Sequence, residues 1–378
     1  MKNYLALVLA LAVVSSPAFA SRARLESLGE GKNGSYYIDD SRNMFLNPAQ
    51  IVHYKKKLFL ELGPDTVGAP DVAVSANRGQ GGFTNTFGDF TYGVYMNQTS
   101  QATLGIVQIG TAALGGAGTF LAPDSTLEFT LAGEAGLNWG ISLFYAGNED
   151  KVALLNRTAS QVGARIGVEA ANFQAFSTVG IVSKSTIDGA AELKGNVGID
   201  AGATYKMSDA IVFAKFTATG ADVNPTGGTT TEIRNTQYGL GLGWKHEMTK
   251  MTNLYARLEA DYQKLARGTT DNRTWNIPVS VGAEAQALSW LAIRGSIQQS
   301  LLGQTWSLNN RSSLAGTTTV AAGLGLTFGD VQIDGLVATN GANNPTNNIT
   351  GFGTAPVSNT GFGFGDNMLT RLAMTYNF

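Results

Sequence analysis

RLAMTYNF, residues 371–378, decides the fold. Leu372, Met374 and Tyr376 alternate with Arg371, Ala373, Thr375 and Asn377, and Phe378 ends the chain. A period of two, apolar on one face and small or polar on the other, is that of a strand standing between lipid and water. A strand in last place suits a chain that closes by pairing its last strand with its first. Tyr376 and Phe378 read as the assembly signal for a barrel-assembly machinery.

The opposite end agrees. Residues 1–20 carry one charge, Lys2, then an apolar run from Leu5 to Val14, then Ser15-Ser16-Pro17-Ala18-Phe19-Ala20. That is the pattern of a secretory signal peptide cleaved after Ala20, and its apolar core is too short to span a bilayer. A secreted chain with no later apolar run long enough for a transmembrane helix can still cross a membrane as a closed barrel, whose backbone groups bond between strands.

Composition narrows the function. Cysteine is absent, which excludes disulfides, thiol chemistry and thiolate metal sites. Lysine and arginine number 26 against 28 acidic residues, a net charge of -2, so no basic field exists for a polyanion and nucleic acid is not a partner. Only 14% of residues are charged, well under the roughly 25% of soluble domains. Glycine, at 47 of 378 residues, is about twice as common as usual.

Outward from the last strand, the alternation recurs along the chain. Val162, Ala164, Ile166 and Val168 oppose Gln161, Gly163, Arg165, Gly167 and Glu169. Leu254, Ala256, Leu258, Ala260 and Tyr262 oppose Tyr255, Arg257, Glu259 and Asp261. Trp275, Ile277, Val279, Val281 and Ala283 oppose Asn276, Pro278, Ser280, Gly282 and Glu284. Leu193, Val197, Ile199 and Ala201 oppose Lys194, Asn196 and Asp200. With similar stretches near 57–64, 80–87, 90–98, 125–134, 137–147, 173–184, 209–219, 232–247, 290–301, 316–328, 330–339 and 367–378, the count is sixteen strands. The stretches 57–64 and 80–87 are the weakest, which leaves fourteen as the alternative. The fold class is therefore an all-β transmembrane antiparallel barrel of 14–16 strands, with sixteen the reading adopted.

Short turns alternate with long connections at 64–78, 97–124, 147–158, 184–190, 220–231, 266–273, 303–316 and 339–366, the habit of short periplasmic turns and long extracellular loops. The stretch 101–118 is apolar enough to be a strand, a lumen plug or a loop. Trp139, Trp244, Trp290, Phe328, Tyr376 and Phe378 fall beside short turns, and Tyr145, Trp275 and Trp306 beside long ones, as two interfacial girdles would. The expected organisation is a signal peptide over 1–20, a periplasmic leader or partial plug over 21–56, and the barrel over 57–378.

The inner face is expected to carry Lys57, Glu61, Glu128, Arg165, Glu169, Lys194, Asp200, Lys215, Lys245, Arg257, Glu259, Asp261, Glu284, Arg294, Asp334 and Arg371. A ring of one sign would argue for an ion filter. Balanced signs argue instead for a weakly selective water path or for ion pairs that stabilise the wall. The small residues between them would keep the bore clear. Neither His53 nor His246 has a serine beside it in local sequence, and no Gly-x-Ser-x-Gly, His-Glu-x-x-His, phosphate loop or EF-hand occurs, so no enzyme, cofactor or metal is expected.

The leader, SRARLESLGEGKNGSYYIDDSRNMFLNPAQIVHYKK, is the most distinctive segment. Asn47 precedes a short helix starting at Pro48, a reasonable cap. Asp40 and Asn47-Pro48-Ala49, ahead of the strand near Lys57, resemble the N-terminal region of the fatty-acid transport porin superfamily, over about 35 residues. The leader is similar too to that of major outer membrane proteins of predatory Gram-negative bacteria. The first resemblance implies a fourteen-stranded barrel occluded by its leader, from which hydrophobic compounds leave sideways through a gap in the wall. This chain departs from that pattern in its strand count and in a leader short for a full hatch.

The function these features point to is passive diffusion of small solutes across the outer membrane, with membrane lipid and the solutes as partners and a monomer or homotrimer as the assembly. Two rivals stand beside it. One is a transporter of hydrophobic compounds, with an apolar pocket near Phe352, Phe362 and Phe364. The other is a structural or surface-recognition barrel with a blocked lumen.

Overall fold

The alternating stretches pair, each with the next along the chain, into one antiparallel sheet that closes on itself. The computed structural model describes residues 21–31, 33–63, 78–98, 119–123, 125–152, 155–307, 310–313, 318–339 and 368–378, with Val107, Gly110 and Leu114. The strands are β1 (Lys57–Gly63), β2 (Arg78–Phe87), β3 (Phe90–Met96), β4 (Ser125–Glu134), β5 (Asn138–Val152), β6 (Leu155–Glu169) and β7 (Phe173–Ile187). Next is β8, in two segments, Ala191–Gly195 and Gly198–Met207, both held between β7 and β9 (Ala210–Pro225). Then come β10 (Thr231–Thr249), β11 (Thr252–Arg267), β12 (Thr270–Leu288) and β13 (Leu291–Ser307). The strand β14 is again in two segments, Asn310–Ser313 and Thr318–Phe328, both on β13. The last are β15 (Val331–Thr339) and β16 (Met368–Asn377). Two interrupted strands thus turn eighteen ladder segments into sixteen staves. Closure is made by β1, which pairs with β2 on one side and β16 on the other, Lys57 opposite Asn377 and Leu62 opposite Leu372.

The outward face is apolar. Leu143 and Leu240 are each 60% exposed, and Leu60, Leu127, Ile166, Leu258, Val281, Leu324 and Leu372 are exposed beside them. A continuous band of this kind would aggregate in water and belongs against hydrocarbon. Aromatics gather at the end with the short turns: Trp139 meets Phe90, Trp290 stacks on Phe328, and Tyr376 lies beside Phe378. Those turns are tight. Gly88 and Gly329, each before an aspartate, hold φ of 56° and 57°, a backbone that costs a side chain energy and glycine none.

At the other end the strands run on past the expected boundaries. The stretch 147–158, read as a loop, is largely ladder, with Gly147 paired to Ser160 and Val152 to Leu155. The stretches 184–190, 220–231, 266–273 and 303–316 are likewise shortened by strand. Beyond the lipid both faces of a strand meet water, so the apolar alternation stops while the hydrogen bonds do not. In 97–124, the described residues Val107 and Phe120 pack inside the barrel with Ile187, Leu193, Val223 and Leu265, which makes this part an inward fold rather than a strand. Phe352, Phe362 and Phe364 lie outside the described residues.

Candidate functional site

The bore is not clear. Residues 21–56 run through it as a short helix, α1 (Arg22–Ser27), and two 3-10 turns, Ser41–Phe45 and Pro48–His53. Each is fixed by a side-chain cap. Ser21 accepts from Arg24 N at 3.1 Å, Asp40 from Arg42 N at 2.9 Å, and Asn47 from Ala49 N at 3.1 Å. The caps satisfy backbone groups that such short turns would otherwise leave orphaned in a closed space. Pro48 follows Asn47 at the first position of its turn, where a missing N–H costs nothing.

Wall glycines make room for the leader. The Pro48-Ala49 backbone lies on Gly140, where a Cβ would come within 2.5 Å of the Pro48 carbonyl oxygen. Asn47 sits over Gly167 and donates to the Val168 carbonyl at 3.1 Å. Tyr37 packs on Gly243, and Ser27 on Gly323. The small residues on the inner face were expected to keep the channel open; they are small because the leader occupies the space beside them.

Charge neutralisation follows the same plan. Arg24 reaches Glu284 of β12 at 2.8 Å and Asp40 at 3.0 Å. Arg294 then bridges Glu284 and Asp334, each at 2.6 Å, and Ser21 Oγ donates to Asp334 at 2.8 Å. Glu26 receives both Arg22 at 2.8 Å and Arg371 at 2.9 Å. Glu61 takes the Arg22 amide at 2.9 Å and Arg42 at 3.3 Å. Arg257 holds Glu30 at 3.0 Å. Burial opposes the Arg24 charge, yet Glu284 and Asp40 together hold its pKa above the ordinary value. Burial pushes the Asp40 carboxyl up to about 7 against the pull of Arg24.

Most of the expected inner-face charges stand at inward positions. Arg165 binds Glu128, and Lys215 binds Glu259 and Asp261. Glu169, near the short turns, takes His53 Nε2 at 2.7 Å, with Asn138 at 3.0 Å and Gln174 at 3.1 Å. Lys245 lies 4.0 Å from Asp39, and Lys57 lies over the Tyr54 ring. Lys194 corrects the sequence reading: it is exposed while its neighbour Leu193 is 1% exposed within the interior cluster. The cause is a bulge. Val162 pairs with Val182 but Gly163 pairs with Gly180, so Ile181 is an extra residue that switches which parity of β7, and of the first segment of β8, faces inward.

The same irregularity breaks the seam between β7 and β8. Pairing stops at Gly180–Gly198 and resumes at Ser183–Gly195, leaving Ile181 and Val182 opposite Val197 and Asn196 without ladder partners across it. Behind the break lies a cavity of about 70 Å³. The leader lines it with Asn33, Phe45 and Leu46, and the wall with Phe144, Arg165, Phe176 and Asp200. Gly180, Gly195, Gly198 and Gly220 form its side toward the seam. Sequence reading missed this cavity, whose one visible trace is the slip of alternation at Ile181-Val182 amid glycines. His246 stacks on Trp244 at the rim, and among the described residues no group of three or more metal-ligating side chains gathers.

A closed sixteen-stranded antiparallel barrel with an apolar outer band is an outer membrane β-barrel, the architecture of outer membrane channels and transporters, and the outer membrane is its location. Residues 153–328 match the family described as outer membrane protein beta-barrel domain. No curated protein matches the chain. Among solved structures, a Pseudomonas aeruginosa FadL homologue is similar at 12% identity and a TM-score of 0.42, over 96% of this chain and 99% of that one. The CymD monoaromatic hydrocarbon channel is similar at 10% identity and a TM-score of 0.41, over 96% and 99%. The Ralstonia pickettii toluene transporter TbuX is similar at 10% identity and a TM-score of 0.37, over 97% and 100%. Likeness at this level is one of outline.

Proposed function

We propose that this barrel passes small amphiphilic compounds across the outer membrane by a side route, through the seam between β7 and β8, and not along its axis. The observation that carries this reading is the coincidence of the cavity with the break in that seam, while leader and ion pairs fill the axis. Free axial diffusion of small solutes would require the leader to leave. Breaking even one of its buried pairs costs about 3–5 kcal/mol. In this reading residues 21–56 are a plug, the paired inner-face charges hold it, and Asp200 and Arg165 border the path. Residues 1–20 serve export, and Tyr376 and Phe378 serve recognition by the assembly machinery.

The chain has no cysteine of its own, so the route can be stapled cleanly. The register places Ile181 opposite Val197, both on the outer face and 51% and 65% exposed. In cells producing Ile181→Cys/Val197→Cys, oxidation is expected to lower benzyl alcohol uptake to the level of cells without the protein, and reduction to restore it. Uptake indifferent to the staple would refute the side route.

A further inference from the structure

The polar groups around the cavity are not neutral as to what they bind. Asp200 exposes its carboxylate there, with Thr217 Oγ1 donating to it at 3.4 Å and no cation within ion-pair distance among the described residues. Two further oxygens, Asn33 Oδ1 and Thr219 Oγ1, belong to residues lining the same space and are buried without a hydrogen-bond partner among the described residues. A buried polar atom left unmet costs free energy, so a site that leaves several together favours whatever satisfies them. All three groups can accept. The cation that also lines the cavity, Arg165, is engaged by Glu128 and lies 4.8 Å from the centre of the Phe144 ring. The ion pairs behind it lean the same way: Glu30, Glu128, Glu259 and Asp261 are set against Arg165, Lys215 and Arg257, before Asp200 is added.

We infer that the cavity selects solutes whose polar end donates hydrogen bonds and carries positive charge, that is, small primary amines attached to an apolar body. This rests on the side-route reading above and adds the chemistry of the solute. The size agrees. A space of about 70 Å³ is about half of what holds a benzene ring and takes about two waters' worth of matter, enough for an aminomethyl group. The rings of Phe45, Phe144 and Phe176 border that space and give it an aromatic lining for the apolar part of such a solute. The apolar body then points to the seam and the lipid.

Three probes of one shape and different charge decide it: benzylamine (protonated at neutral pH), benzyl alcohol and benzoate, measured as uptake by cells producing the full chain. Benzylamine is expected to enter fastest and benzoate slowest. Asp200→Asn is expected to slow benzylamine about tenfold, the worth of one charge-assisted hydrogen bond, and to slow benzyl alcohol less, so that the ratio of the two uptakes falls. If the Asn variant fails to reach the membrane, Thr219→Val takes its place, with benzylamine uptake expected to fall about threefold, the worth of one neutral hydrogen bond. Benzyl alcohol entering while benzylamine is no faster than benzoate, or benzylamine unmoved by the substitution, would overturn this inference and leave the side route standing. No probe entering faster than in cells without the protein would overturn both.

Discussion

Gly140 shows how the wall is shaped by what lies inside it. With Pro48 and Ala49 resting on its Cα, Gly140→Val is expected to lift the leader off β5 while the barrel still closes. The check is protease cleavage within residues 40–56, negligible in the parent and rapid in the variant. Arg24 is the centre of the ion pairs, and Arg24→Ala is expected to weaken leader docking by about 3 kcal/mol, the low end for a broken buried pair. The low end applies because Arg294 still serves Glu284, and Asp40, with its carboxyl near 7, can take a proton instead. Asp40→Asn keeps the cap and loses the pair with Arg24, whereas Asp40→Ala loses both and should cost about 1 kcal/mol more; both are read from the denaturant midpoint at which the leader becomes cleavable. At this scale much was legible. The alternation puts Arg165, Glu259, Glu284 and Arg371 on the face away from lipid, and all four are buried. Lys194 was misread because one extra residue in a neighbouring strand reverses parity, and nothing in the local sequence of β8 records it.

Among the elements, the turn Pro48–His53 ends the leader at the mouth, where His53 reaches Glu169. The hydrogen bond that protonated His53 donates to Glu169 raises the His53 pKa above its ordinary value. A raised histidine contributes its full stabilisation below the ordinary pKa and loses it as pH rises through the folded value. Protection factors for hydrogen exchange in residues 50–56, with the intrinsic base catalysis divided out, are therefore expected to be high in mild acid and to fall as pH rises. His53→Asn should abolish that dependence, and a pH-independent parent would contradict the contact. The staves themselves were legible because lipid and interior impose a period of two. Their outer extensions were not, because Glu149-Asp150-Lys151 is charged at every position and shows no apolar period. The broken seam was visible at most as glycines around Ile181-Val182, a pattern many turns share.

For the molecule as a whole, the sequence told a membrane barrel from a soluble sandwich and counted its staves. It did not tell an open bore from a filled one. Small inner residues suit both cases, and the difference lies in where residues 21–56 pack, a matter of long-range pairing that periodicity does not encode. Arg24 with Glu284, Glu26 with Arg371 and Glu30 with Arg257 are each complementary, but balanced charge on wall and leader reads the same whether they meet or not.

The leader closes the axis. Gln50 of the leader meets Gln174 of β7 through the ends of two long side chains, Gln50 donating at 2.8 Å, so a short bismaleimide can join Gln50→Cys to Gln174→Cys and hold the leader in place. Ion conductance of the cross-linked variant in a planar bilayer reads whether the axis is shut. No steady openings are expected while the cross-link is intact; steady ohmic openings from cross-linked protein would show an open axis.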